Sequence, residues 1–161
     1  MALYRPSLGL KDYDMTFLGL IDNKALSWVA RAKDFRNYYA VKLTVVKAGP
    51  MPVLSLVRYP VINGRAGKRV EKPVRIPAQP DTLYRIGMTI HDDTFLVTVQ
   101  GAVIDSWTDS TLKQGGVGFF TAAGEASRLR WVQVTHQYDV LGRLCAYLAP
   151  YNSQSTTNGS W

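Results

Sequence analysis

The stretch TLYRIGMTIHDDTFLVTVQGAVIDSW, Thr82 to Trp107, decides the fold. Apolar and polar residues alternate through three successive runs, Thr82 to His91, Thr94 to Gln100 and Ala102 to Trp107. Tyr84, Ile86, Met88 and Ile90 fall on one side of the first run, and Phe95, Val97 and Val99 on one side of the second. In an extended chain successive side chains point to opposite faces, so a period of two marks strands with one face in a core. Asp92-Asp93 and Gln100-Gly101 interrupt the pattern with residues suited to tight turns, which makes the stretch a three-stranded antiparallel meander.

The same alternation extends outward in both directions. Upstream, Tyr13 to Ile21 carries Tyr13, Met15, Phe17 and Gly19 on one side and ends at an expected turn, Asp22-Asn23. Leu26 to Ala32 follows, then Tyr38 to Val46, where Tyr39, Val41, Leu43 and Val45 oppose Tyr38, Ala40, Lys42 and Thr44. Pro50 and Pro52 force a loop, because proline locks φ and removes a ladder donor. Val53 to Tyr59 should pair with Lys68 to Ile76 through Asn63-Gly64, and Pro73 marks the second arm as a sheet edge. Gly116 to Ala122 and Ser127 to Thr135 complete an all-β, two-sheet antiparallel jelly-roll sandwich. Its expected core includes Trp28, Tyr39, Leu43, Ile86, Met88, Phe95, Val97 and Phe119. One short helix is predicted over Asp139 to Leu148, with Leu141, Leu144, Cys145 and Leu148 at i, i+3, i+4 and i+7. Residues 1–150 are thus read as one domain with a C-terminal helix, and 151–161 as a polar, mobile tail.

A chain of 161 residues can bury a substantial core without staples. The single cysteine, Cys145, excludes an internal disulfide framework and a multi-cysteine zinc site, and leaves the redox compartment undecided. The N-terminal residues lack the apolar run of a signal peptide, and no stretch is long enough for a membrane span. Localisation stays open at this stage, since an upstream region carrying a signal or anchor would place the domain outside the cytoplasm. The net charge of +7 favours anionic partners. The densest basic group, Arg58, Arg65, Lys68, Arg69, Lys72 and Arg75, reads first as a solvated strand face that blunts an exposed edge.

The strings WVARAKDFRNYYAVKL (Trp28 to Leu43), LYRIGMTIHDDTFLVTVQG and IDSWTDSTLKQGGVGFFTAAGEASRLRWVQV resemble bacterial concanavalin A-like lectin/glucanase domains, near laminin-G-like and 3-keto-disaccharide hydrolase-like modules. The resemblance covers roughly Tyr13 to Thr135. It implies two antiparallel sheets, one concave, with ligands on the concave face or in loops at its rim. Members include sugar binders, glycosidases and protein-adhesion modules, so function must be argued from particular residues.

Glycoside hydrolysis needs two carboxyl groups flanking the scissile bond. The chain has two glutamates, Glu71 and Glu125, far apart in sequence, and lacks the Glu-x-Asp-x-x-Glu type cluster of related glucanases. Most aspartates sit at predicted turns. Asp105 is mid-strand beside Trp107 on the same predicted face, where it could grip a sugar or pair with an arginine. His91, His136 and Cys145 lack the partners that catalysis or metal binding requires, and no dense Asp/Asn loop suggests calcium. No catalytic residue, cofactor or metal is therefore assigned. A single-strand nucleic-acid surface from Tyr38, Lys42, Arg31 and Arg58 is disfavoured, because the aromatics fit a core better.

The reading is a non-catalytic module that binds carbohydrate or protein, with oligomeric state left open. Its ligand-binding residues are drawn from Tyr38, Lys42, Arg58, Asp105 and Trp107, a set combining flat aromatics with directed polar groups. A glycoside-acting enzyme of the 3-keto-disaccharide hydrolase-like type, with an atypical site built from Asp105, Asp109 or Glu125, is the alternative.

Overall fold

The computed structural model describes residues 1–77 and 81–136. Twelve strands form two antiparallel sheets. In chain order they are β1 (Ala2–Leu3), β2 (Tyr13–Asn23), β3 (Ala25–Asp34), β4 (Asn37–Lys47), β5 (Val53–Ile62), β6 (Arg65–Ala66), β7 (Val70–Val74), β8 (Leu83–His91), β9 (Thr94–Val99), β10 (Ala102–Thr108), β11 (Gly116–Phe119) and β12 (Ala126–His136). The large sheet runs β1-β11-β3-β4-β5-β6, with β7 also pairing β5, and the small sheet runs β10-β9-β8-β2-β12. The helix expected over Asp139–Leu148 and the tail 151–161 lie outside the described residues.

The decisive meander forms as read, with Ile86 opposite Val99 and Asp105 opposite Val97. Gln100-Gly101 and Asn63-Gly64 both turn with two consecutive positive φ angles, 52° and 81° in the first and 52° and 79° in the second. That geometry matches the twist of the strands it joins. Pro73 lies on β7, whose one partner among the described residues is β5, an edge position that tolerates proline.

Several boundaries differ from the sequence reading. The turn after β2 is made by Lys24 at φ 63°, because β2 continues through the expected turn residues Asp22-Asn23. The arm after Asn63-Gly64 splits into β6 and β7, and Gly67 N–H donates to Pro60 O at 2.8 Å between them. β11 ends at Phe119, and β1 pairs with it although two residues carry no readable period.

The core lies between the sheets, where aromatic side chains interlock across the gap. Phe17 of the small sheet meets Trp28 of the large one edge-on at 5.3 Å and Phe119 at 5.1 Å. Tyr39 meets Phe95 at 4.9 Å, and Trp28 Nε1–H reaches Met88 Sδ at 3.3 Å. Of the eight expected core residues seven are buried, and Phe119 is half-buried against the same cluster.

Arg31 sits in an irregularity of β3 at φ 48° and is 1% exposed. Its N–H donates to Tyr13 Oη at 2.9 Å, and its guanidinium donates to the carbonyls of Leu112, Lys113 and Asp92. A buried cation is tolerated because these acceptors replace its hydration. Gly115 packs directly on this point at φ 149°, where an added Cβ would lie 2.5 Å from the Arg31 carbonyl carbon. Gly115→Ala is therefore expected to destabilise the fold by roughly 2 kcal/mol or more. Chemical denaturation checks this, and an unchanged midpoint would show that the 109–115 loop is not held against β3.

Candidate functional site

Strand alternation divides the five residues expected at the site between two locations. β5 points Leu54, Leu56 and Arg58 toward the small sheet, because Leu54 and Leu56 belong to the core and Arg58 follows in phase. Arg58 Nε donates to Asp105 Oδ2 at 2.7 Å, and its guanidinium lies 4.4 Å from the Trp107 ring centroid. Trp107 in turn stacks on Phe95 at 4.8 Å with planes 5° apart. Asp105 is buried, so its charge is matched where it stands. Arg58, Asp105 and Trp107 thus tie the β10 edge of the small sheet to the large one.

Tyr38 and Lys42 occupy the opposite face of the large sheet, which points away from the core and carries no other described strand. The cross-strand rows there read Val29–Ala40–Tyr59 and Ser27–Lys42–Val57. Val29, Ala40 and Val57 are 0% exposed although no second sheet covers them. Longer side chains flank these positions as walls.

These walls comprise Tyr38, Tyr59, Phe120 and Lys42. Phe120 faces outward because the preceding Phe119 faces the core, and its N–H donates to Ser27 O at 3.2 Å. Tyr38 and Phe120 rings lie 6.5 Å apart, and Lys42 Nζ lies 5.5 Å from the Phe120 centroid. The chain then turns back so that Glu125 reaches over the sheet. Lys42 Nζ donates to Glu125 Oε1, while Ser27 Oγ at 3.3 Å and Ala122 N–H at 3.1 Å donate to Oε2. Beside this pair the hydroxyls of Thr44 and Ser55, a cross-strand pair, have no hydrogen-bond partner among the described residues.

The electrostatics follow from these contacts. Burial alone would raise the Glu125 carboxyl, but the donors from Lys42, Ala122 and Ser27 outweigh it and hold it below the ordinary glutamate range. Desolvation raises the phenols of Tyr38 and Tyr59, so both stay protonated and able to donate. In the interior, Tyr39 is pushed up to about 12 by burial and by its 2.6 Å hydrogen bond to Asp109. Asp109 is engaged there and Asp105 with Arg58, while Glu125 lies across the sheet from both.

Clefts among the described residues include the following three. A groove of about 430 Å³ shares Ser27 and Phe120 with the outer face and continues past Thr121 and Ser127 to Met1. A second, of about 440 Å³, holds the ion pair of Lys113 with Asp93 at 2.9 Å. A third, of about 380 Å³, lies between the β2–β3 turn and the loop before β5. The first adjoins the aromatic face. No group of three His, Cys, Asp or Glu side chains converges among the described residues, and no described helix is long and apolar enough to cross a membrane.

Sequence reasoning did not single out Tyr59 and Phe120, and it named Glu125 only as an atypical catalytic acid. Tyr59 could have been found by phase, since it shares parity with Val57 and lies opposite Leu56 and Arg58. Phe119-Phe120 in a strand must place one ring on each face.

The fold is a two-sheet antiparallel β-sandwich, and solved structures share it at low sequence identity. Galectin-Ib of Xenopus laevis superposes with a TM-score of 0.64 at 15% identity, covering 84% of this chain and 98% of its own. CG-16, a homodimeric agglutinin from chicken liver, gives 0.60 at 15% identity over 80% of this chain and 96% of its own. The carbohydrate-binding module CBM66 from Bacillus subtilis gives 0.58 at 17% identity over 75% of this chain and 74% of its own. No family model matches the sequence, and no curated protein does.

The Lys42–Glu125 pair yields a pH prediction. A depressed folded pKa stabilises above the unfolded value and is lost as pH falls through the folded one. Glu125→Gln leaves Lys42 buried without its counter-charge, so it should cost roughly 2–4 kcal/mol at neutral pH. The gap from wild type should close on acidification below the ordinary glutamate range. Denaturant melts across pH measure it, and a gap independent of pH would refute the pairing.

Proposed function

We propose that this chain is a non-catalytic carbohydrate-binding module that holds a saccharide against the outer face of the large sheet. The observation that carries the reading is the half-exposed set Tyr38, Tyr59 and Phe120 around the Lys42–Glu125 pair, above a floor of Ala40 and Val29. A pyranose ring presents apolar C–H faces and equatorial hydroxyls, and an aromatic wall beside fixed donors and acceptors matches both. Glu125 Oε2, the tyrosine hydroxyls and Lys42 supply directed hydrogen bonds that are oriented before a ligand arrives. The groove past Phe120 gives a longer glycan room to continue. Superposition on an agglutinin, a galectin and a carbohydrate-binding module supports the reading.

The sequence alternative requires a carboxylic acid able to donate a proton to the leaving oxygen. Glu125 is held ionised, which suits an acceptor and opposes that role.

A glycan array with isothermal titration of its hits tests the proposal. Tyr38→Ala and Tyr59→Ala should each weaken binding on the order of tenfold. Trp131→Ala, which removes an exposed ring from the small sheet, should leave affinity unchanged. Absence of binding to any glycan, or loss only on Trp131→Ala, would overturn it.

A further inference from the structure

The geometry points to an anionic saccharide, one bearing a carboxylate or sulfate, with Arg69 as the residue that selects it; this rests on the saccharide site proposed above. Three observations converge. Lys42 is paired with Glu125, so the charge at the centre of the face is already matched. The next cation along the face is Arg69. β7 sets Val70 opposite Arg58, and Gly67 N–H donates to Pro60 O, so Lys68 and Arg69 lie between these two points, opposite Tyr59. The positive charge of Arg69 acts on the Tyr59 phenol, as do Tyr38 and Glu125, so Arg69 stands at the rim of the aromatic wall.

Arg69 also lies within a locally unbalanced stretch. Arg65, Lys68, Arg69 and Lys72 are exposed, and none forms an ion pair among the described residues. Glu71 is the one carboxylate between Arg65 and Val74. Arg58, by contrast, is consumed by Asp105 on the other face. A planar guanidinium presents paired donors to a carboxylate or sulfate, and a charge-assisted bond of this kind is about twice as strong as a neutral one. The other cations add attraction that fades beyond a Debye length of about 8 Å at physiological salt.

The test uses the full chain and matched oligosaccharide pairs: glucuronate- against glucose-terminated, galacturonate- against galactose-terminated, and sulfated against unsulfated galactose. Wild type should bind the acidic member of at least one pair ten or more times tighter, with the ratio shrinking as salt rises. Arg69→Gln should bring the ratio toward one while preserving binding of the neutral member, and Tyr59→Ala should weaken both members. Arg130→Gln, which removes an exposed charge from β12, should leave the ratio unchanged and so separates Arg69 from net charge. Equal binding of acidic and neutral members overturns the anionic assignment and leaves the saccharide site standing. An acidic preference that survives Arg69→Gln overturns the role of Arg69. No binding to any member overturns both proposals.

Discussion

Contact between Phe17 and Trp28 across the sandwich is the interaction on which the rest of the structure depends. The described chain has no disulfide or helical layer, so two sheets must hold each other through side chains alone. Trp28 is the largest fully buried side chain among the described residues, and Phe17 and Met88 of the small sheet close on it from different strands. Aromatic rings bury about 150–250 Å² each, which makes a few of them sufficient to dominate the apolar term. Tyr39, Phe95 and Trp107 extend the seam to the β10 edge, where Arg58 and Asp105 close it with a matched charge pair.

That division of labour frees the far face of the large sheet. Since Trp28, Val41 and Leu43 serve the core, their neighbours Ser27, Ala40 and Lys42 point the other way and need not be apolar. Keeping Val29 and Ala40 small lets Tyr38, Tyr59 and Phe120 stand above them as walls. A lysine sits buried in this face because Glu125 comes back from the turn after β11 to meet it. An ion pair held this way is worth little as a stability device, since desolvation offsets much of the attraction. It fixes polar atoms beside aromatic rings, the arrangement on which the proposed saccharide site rests.

Much of this architecture was legible in the sequence because strand alternation is a local signal. Tyr13, Met15 and Phe17, or Phe95, Val97 and Val99, declare their face without any knowledge of the partner strand. Turn chemistry was equally local at Asn63-Gly64 and Gln100-Gly101. What escaped was set by distance along the chain. Arg58 meets Asp105 at a separation of 47 residues, and Lys42 meets Glu125 at 83. No periodicity connects such pairs, so Arg58, Asp105 and Trp107 were grouped with Tyr38 and Lys42 although the sheet lies between them. Arg31 escaped for a related reason, because its burial depends on carbonyls of a loop some 80 residues away. The strand Ala2–Leu3 is fixed by Phe119 and Gly118 and not by its own pattern.

The central claim is that ligand meets the outer face of the large sheet, and amide chemical-shift mapping during titration with a bound glycan tests it most directly. Perturbations concentrated at residues 27–29, 38–42, 57–59 and 120–125, with Ala40 and Val57 among the largest, are the predicted result. Shifts concentrated on Asp105 and Trp107 at the β10 edge, or on the outer face of the small sheet, would contradict it.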